Sequence, residues 1–203
     1  MYTTWYEQIS APWRKRAWAP RVLNTLDKGL VAIVAAGYIG VLIWLLVQMV
    51  AGCGDGGDAA PTNAVNAAAA SAAATATAPP STATVPAAAR FWKTLLVPAI
   101  SFVLVSVVRA RINAPRPYES FDIDPLIKKD TRGKSFPSRH LFSAAIIACT
   151  LWWLSPIWGA LAFIACIVVA FCRIVGGVHF PRDIAGAFVF AFACAFVGFI
   201  LIP

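Results

Sequence analysis

The chain has 203 residues, 60% of them apolar and only 13% charged, with a formal net charge of +8. That charge content is about half the ~25% usual for soluble domains, and the mean hydropathy is +0.72, which excludes an ordinary soluble domain and points to one membrane-embedded helical bundle. The basic excess is clustered, five groups within residues 1–28 and eight within 109–139; this suits a membrane surface and the positive-inside bias, and no soluble domain remains to offer a nucleic acid a basic face.

Residues 1–28 form a basic N-terminal segment. Residues 29–52 carry no charge and are long enough for a first transmembrane helix, which needs ~20 apolar residues; a cleavable signal has a shorter apolar core. Residues 53–89 are rich in Ala, Thr and Ser and interrupted by Pro79 and Pro80, the composition of a low-complexity linker. A sixth span there is the alternative, since span assignment rests on summed hydropathy. "VAGC" at 50–53 resembles a lipoprotein lipobox; the plainer reading is a helix ending in small residues.

A second span is predicted at 91–110, ending in basic residues. Residues 111–139 are polar. Two apolar segments follow, 140–155 and 157–172, joined by "SPIW" in a tight helical hairpin, with Trp152, Trp153 and Trp158 placed as an interfacial belt. The last span runs from Asp183 to Ile202. The expected fold is therefore all-α, a polytopic bundle of about five transmembrane helices, six being possible. The hairpin turns put the polar segments 109–139 and 173–183 at one membrane face. The five cysteines lack the paired spacing of a metal site or a disulfide framework, so no metal is expected and they read as small packing residues.

Three clusters share that polar face. The first is "RARINAPRP", in which Arg109 and Arg116 are separated by six residues. The second is "FPSRH", residues 136–140. The third is "RIVGGVHFPRD", in which Arg173 precedes His179 by five intervening residues and Asp183 follows after three more. From residue 141 onward Arg173, Arg182 and Asp183 are the only charged side chains, and ionisable groups in membrane-embedded positions default to function. Arg109, Arg116 and Arg173 make a clamp for phosphate oxygens. Ser138 reads as a helix N-cap, with free backbone N–H groups beside it as an anion site. Asp183, four residues on, is placed to fix the tautomer of His179 and leave its other nitrogen free to attack. His140 is placed to protonate a leaving oxygen.

This constellation resembles the type 2 phosphatidic acid phosphatase family, which shares its site with the vanadium haloperoxidases. The family pattern K-x6-R-P, P-S-G-H and S-R-x5-H-x3-D is met here as Arg109…Arg116-Pro117, Pro137-Ser138-Arg139-His140 and Cys172-Arg173…His179…Asp183. The resemblance covers residues 91–203, the expected phosphatase domain, and leaves 1–90 unexplained. Arg109 in place of lysine keeps the charge, Arg139 in place of glycine adds a side chain near the phosphate, and Cys172 in place of serine weakens a hydrogen bond.

The resemblance implies a lipid phosphatase that uses no cofactor. His179 is then the nucleophile that becomes a phosphohistidine, Asp183 its orienter, and His140 the acid and later the base. Arg109, Arg116, Ser138, Arg139 and Arg173 are expected to bind the phosphate. The implied partner is a membrane lipid phosphate within the bilayer: phosphatidic acid, phosphatidylglycerophosphate, or a polyprenyl phosphate or diphosphate. A vanadate-dependent haloperoxidase and a non-catalytic lipid-phosphate binding or transport protein are the competing readings. The expected location is a bacterial cell membrane, multi-pass. The basic N-terminus against an uncharged linker puts five spans with the site on the cytoplasmic face, which a sixth span would reverse. Oligomeric state is not legible.

Overall fold

The computed structural model describes residues 2–54 and 85–202, those at 52–54 through their backbone only. Most of the Ala-rich stretch, and the Cys53 side chain, therefore lie outside the described residues. The elements are α1 (Tyr2–Arg14), α2 (Ala19–Gly54), α3 (Ala87–Ile112), α4 (Pro117–Ser120), α5 (Arg139–Leu154), α6 (Pro156–Val175) and α7 (Pro181–Phe196), which continues as a π-helical turn, Val197–Leu201. The described residues contain no strand.

Four of these helices are long and apolar enough to cross a membrane: α2, α3, α6, and α7 with its π-helical turn. Their large apolar side chains stay exposed, among them Ile33, Ile43, Ile100, Val103, Ile164, Ile167, Val189 and Ile200. Lipid, not water, is the solvent that suits such a surface.

The fifth bundle helix differs. With 16 residues α5 is about 24 Å long at 1.5 Å per residue, short of the ~30 Å hydrocarbon core. It packs against α2, α3, α6 and α7 and buries Leu141, Phe142, Ala144, Ala145, Ile146 and Ala148. Being central, it has no need to reach both surfaces, and its N-terminus starts inside the bundle, where a polar loop meets it. Helices in lipid associate through close packing of small residues, and alanines fill this seam, with Ala162, Ala187 and Ala191 also buried. At the α5–α6 hairpin a Cβ on Gly159 would lie 2.4 Å from Trp152 Cα, so only glycine allows the two helices to close there.

Two differences from the predicted elements matter for the site. First, α2 begins at Ala19, well ahead of the apolar run at 29, so that Asp27 and Lys28 lie within the helix, and Asp27 is buried in an ion pair. Second, the basic N-terminal segment contains a helix, α1. Its Tyr2, Tyr6 and Ser10 recur every four residues and so share one face; Tyr6 and Ser10 are buried, and the Trp13 ring meets Phe171 of α6 edge-on at 5.6 Å.

Helix direction follows from three contacts. Asp27, near the start of α2, bonds Arg173 at the end of α6. Mid-membrane, Tyr38 donates to the Thr94 carbonyl of α3 at 2.7 Å. At the far end of α3, Arg109 donates to the Pro137 carbonyl. α2 and α3 are thus antiparallel, and the chain leaves α2 and enters α3 at the end remote from the polar clusters.

Candidate active site

Two glycines close the turn between α6 and α7. Gly176 N–H donates to Cys172 O, and the N–H groups of Val178 and His179 both donate to Arg173 O. Gly177 has φ +71°, and a Cβ there would lie 2.6 Å from the Tyr6 hydroxyl; a left-handed residue under a tyrosine must be glycine. That hydroxyl donates to Val175 O at 3.2 Å and accepts from Leu126 N–H at 3.4 Å. α1 therefore braces the turn from behind.

The turn delivers His179, 1% exposed, directly before α7. The helix begins at Pro181, two residues ahead of the predicted start at Asp183, with Phe180 as its N-cap. Asp183, in the first turn and fully buried, accepts from Phe180 N–H at 3.1 Å. A carboxylate there is favoured by the helix N-terminus. Its Oδ2 lies 3.5 Å from His179 Nδ1. Ser135 Oγ donates to the same Oδ2 and stands 3.3 Å from His179 Nδ1. Nδ1 is thereby the occupied nitrogen, and Nε2 makes no hydrogen bond among the described residues. Burial, together with Arg173 and Arg116 nearby, pulls the His179 pKa below its ordinary value; the adjacent Asp183 opposes this only in part. The imidazole is neutral near pH 7, the form that carries a lone pair.

Ser135 belongs to the loop before α5, which is fastened by Ser135 N–H to Ala114 O at 2.8 Å and Ser138 N–H to Asp183 O at 3.1 Å. These bonds join all three sequence clusters. Ser138 is the N-cap residue of α5, yet its side chain makes no capping bond. The hydroxyl is buried and has no partner among the described residues. Arg116, 7% exposed, donates through Nε to Gly133 O at 3.1 Å, while its Nη1 is also buried without a partner. Its backbone is held by the Glu119 carboxylate, which accepts from Arg116 N–H at 2.7 Å and from Gly133 N–H. Such orphans cost free energy unless a ligand completes them.

The remaining candidates divide. Arg109, half-buried in the last turn of α3, donates to Pro137 O. Arg173 is buried in the last turn of α6. His140, the second residue of α5, lies within electrostatic range of Arg173, Asp27 and Lys129. Arg139 is exposed, with its guanidinium 6.0 Å from the Phe102 ring centroid, so its side chain sits at the rim. Arg182 is also exposed, stacked over Phe180 at 4.7 Å and 3.8 Å from Asp183 Oδ1, too long for a hydrogen bond.

Sequence reasoning missed Ser135, Glu119, Tyr6 and Asp27. For Ser135 a signal existed, three residues ahead of Ser138 in "KSFPSRH". For Tyr6 and Asp27, far away in the chain, none did.

Residues 90–203 match the PAP2 superfamily. The chain belongs to it. No curated protein sequence matches the chain. Among solved structures, LpxE from Aquifex aeolicus superposes with a TM-score of 0.61 at 17% identity, over 97% of this chain and 93% of that one. A transmembrane PAP2-type phosphatidylglycerolphosphate phosphatase from Bacillus subtilis does so with a TM-score of 0.53 at 20% identity, over 96% and 83%. Both are likenesses of fold. They extend over α1 and α2, which the PAP2 match does not reach. This chain is thus a PAP2-type phosphatase in a multi-pass membrane bundle.

Proposed function

We propose that this PAP2 protein hydrolyses the phosphoric ester or anhydride of a membrane lipid through a phosphohistidine on His179. The observation that carries the proposal is a pair of buried donors without a partner among the described residues, Arg116 Nη1 and Ser138 Oγ, in the same site as a histidine whose Nδ1 faces Asp183. Donors of that kind match phosphoryl oxygens, and a histidine so oriented is a nucleophile.

In the first step the Nε2 lone pair of His179 attacks phosphorus and the bond from phosphorus to the lipid oxygen breaks. His140 gives that oxygen its proton. Arg109, Arg116, Arg173 and Ser138 hold the three remaining oxygens. The backbone N–H of Arg139, at the start of α5, adds the pull of a helix N-terminus. In the second step His140 takes a proton from water, the hydroxide attacks phosphorus, and the P–N bond breaks to free phosphate. Asp183 stabilises the imidazolium character that His179 gains on attack.

A recessed site at one end of a bundle suits an amphiphile whose phosphate lies at headgroup level. Phosphatidylglycerophosphate, phosphatidic acid and polyprenyl phosphates or diphosphates share that chemistry. The name of the Bacillus relative supports the first of these. With a basic N-terminus inside a bacterial cell membrane, and Asp27 and Arg173 joined across α2 and α6, the site faces the cytoplasm.

His179→Ala is expected to abolish phosphate release from these lipids in detergent. Rapid acid-free quenching of the unaltered chain during turnover of a ³²P-labelled lipid is expected to trap an acid-labile, base-stable phosphoenzyme that His179→Ala does not form. Retained turnover in the variant, or label trapped equally with and without His179, defeats the mechanism.

A further inference from the structure

The PAP2 match covers residues 90–203, and all the residues given catalytic or phosphate-binding roles above lie within it. One buried ionic contact to the site comes from outside. Arg173 donates through Nε to Asp27 Oδ1 at 2.8 Å and through Nη2 to Asp27 Oδ2 at 2.8 Å. The two side chains are 3% and 2% exposed.

This fork is the geometry that gives arginine–carboxylate pairs their directional strength. It orients the guanidinium plane by two bonds. It occupies Nε and Nη2 and leaves Nη1 unengaged among the described residues. A guanidinium in this buried position would otherwise carry an uncompensated charge. No hydrophobic gain explains why a carboxylate sits near the start of a membrane helix, where ionisable groups are costly. The same position lies within electrostatic range of His140 and Lys129, so Asp27 belongs electrostatically to the phosphate site.

We infer that Asp27 of α2 is a positioning residue of the phosphatase site: it holds the Arg173 guanidinium with Nη1 turned toward the transferring phosphoryl group. Asp27 does not touch the substrate; it acts through Arg173. The catalytic unit then extends beyond the PAP2 segment and includes the first membrane helix. The inference rests on the phosphatase reading above, and the test separates the two.

The test uses the full chain in detergent, dioctanoyl phosphatidic acid as substrate, and orthovanadate as a phosphate mimic. Asp27→Asn is expected to lower kcat by about 10- to 100-fold, by analogy with loss of the hydrogen-bonded partner behind a metal-ligating side chain. It should weaken vanadate inhibition by a similar factor and change KM far less. In an Arg173→Lys background, Asp27→Asn should cause no further loss of kcat, because there is no fork left to orient. A purely structural tether predicts a lower thermal midpoint with a vanadate inhibition constant within twofold of wild type; that result, or losses that multiply in the double variant, overturns the inference. If Asp27→Asn does not purify folded, Asp27→Glu decides. It keeps the charge and displaces the carboxylate by one methylene, so vanadate must again inhibit more weakly, and unchanged inhibition overturns the inference. If the unaltered chain releases no phosphate, the phosphatase reading falls by itself. Calorimetric binding of vanadate to the unaltered and Asp27 variants then still decides the role of Asp27, equal affinity refuting it.

Discussion

At the residue scale, the proposed nucleophile is set by what surrounds one nitrogen. His179 Nδ1 shares Asp183 Oδ2 with the Ser135 hydroxyl. Ser135→Ala removes a hydrogen bond to a charged group, a loss of about 1.5–3 kcal/mol. Where that loss falls on the transition state, kcat drops by roughly tenfold or more while KM holds; steady-state kinetics with a soluble-chain lipid checks this. The pH profile follows from the direction of the His179 shift. Its pKa is lowered by burial, so protonation of the folded state lags behind that of the unfolded chain as pH falls. The neutral, attacking form should persist below the ordinary ~6.5, and the acid limb of kcat/KM should lie below that value. By linkage, stability falls as pH drops below ~6.5, where the unfolded state binds the proton that the folded state resists. On the alkaline side, burial and Arg173 bring Lys129 down to about 8. Its charge is present below that pH and lost above it. KM for an anionic lipid should therefore rise through pH 8, and Lys129→Arg should remove the rise.

At the element scale, the site is a meeting of helix ends. α5 starts within the bundle and offers its N-terminus; α6 ends on Arg173; α7 starts two residues after His179. α1 stands behind the turn and holds it through the Tyr6 hydroxyl. Tyr6→Phe leaves the Val175 carbonyl and the Leu126 N–H without their partner. The expected cost is about 1–3 kcal/mol, read as a lower thermal midpoint in detergent. A partial loss of kcat should accompany it, because the same turn carries His179. The apolar patterns of α3, α5, α6 and α7 were each legible from hydropathy and breakers, since in lipid every spanning helix must satisfy its own backbone. α1 was not. Only three of its thirteen residues are charged or large and aliphatic, and its helicity rests on docking Tyr6 and Trp13, contacts made with residues more than a hundred positions away.

At the scale of the whole molecule, antiparallel α2 and α3 put the N-terminus and the catalytic cluster at one membrane face. In a background without native cysteines, Pro125→Cys should react with an impermeant maleimide only after the cells are opened. Ala70→Cys should react in intact cells, and the reverse pattern refutes the cytoplasmic site. Hydropathy and spacing by themselves determined the membrane class and singled out the polar face and the candidates His140, His179, Asp183, Arg109, Arg116 and Arg173. Membrane spans are written in continuous apolar runs, and a phosphoryl-transfer site needs charged groups that stand out sharply against them. Tertiary structure alone decided which hydroxyl stays free, which nitrogen of His179 is occupied, and that Asp27 completes Arg173. Those outcomes depend on distances between segments up to 146 positions apart; no local period or motif encodes such a contact, because it is fixed by how the helices pack.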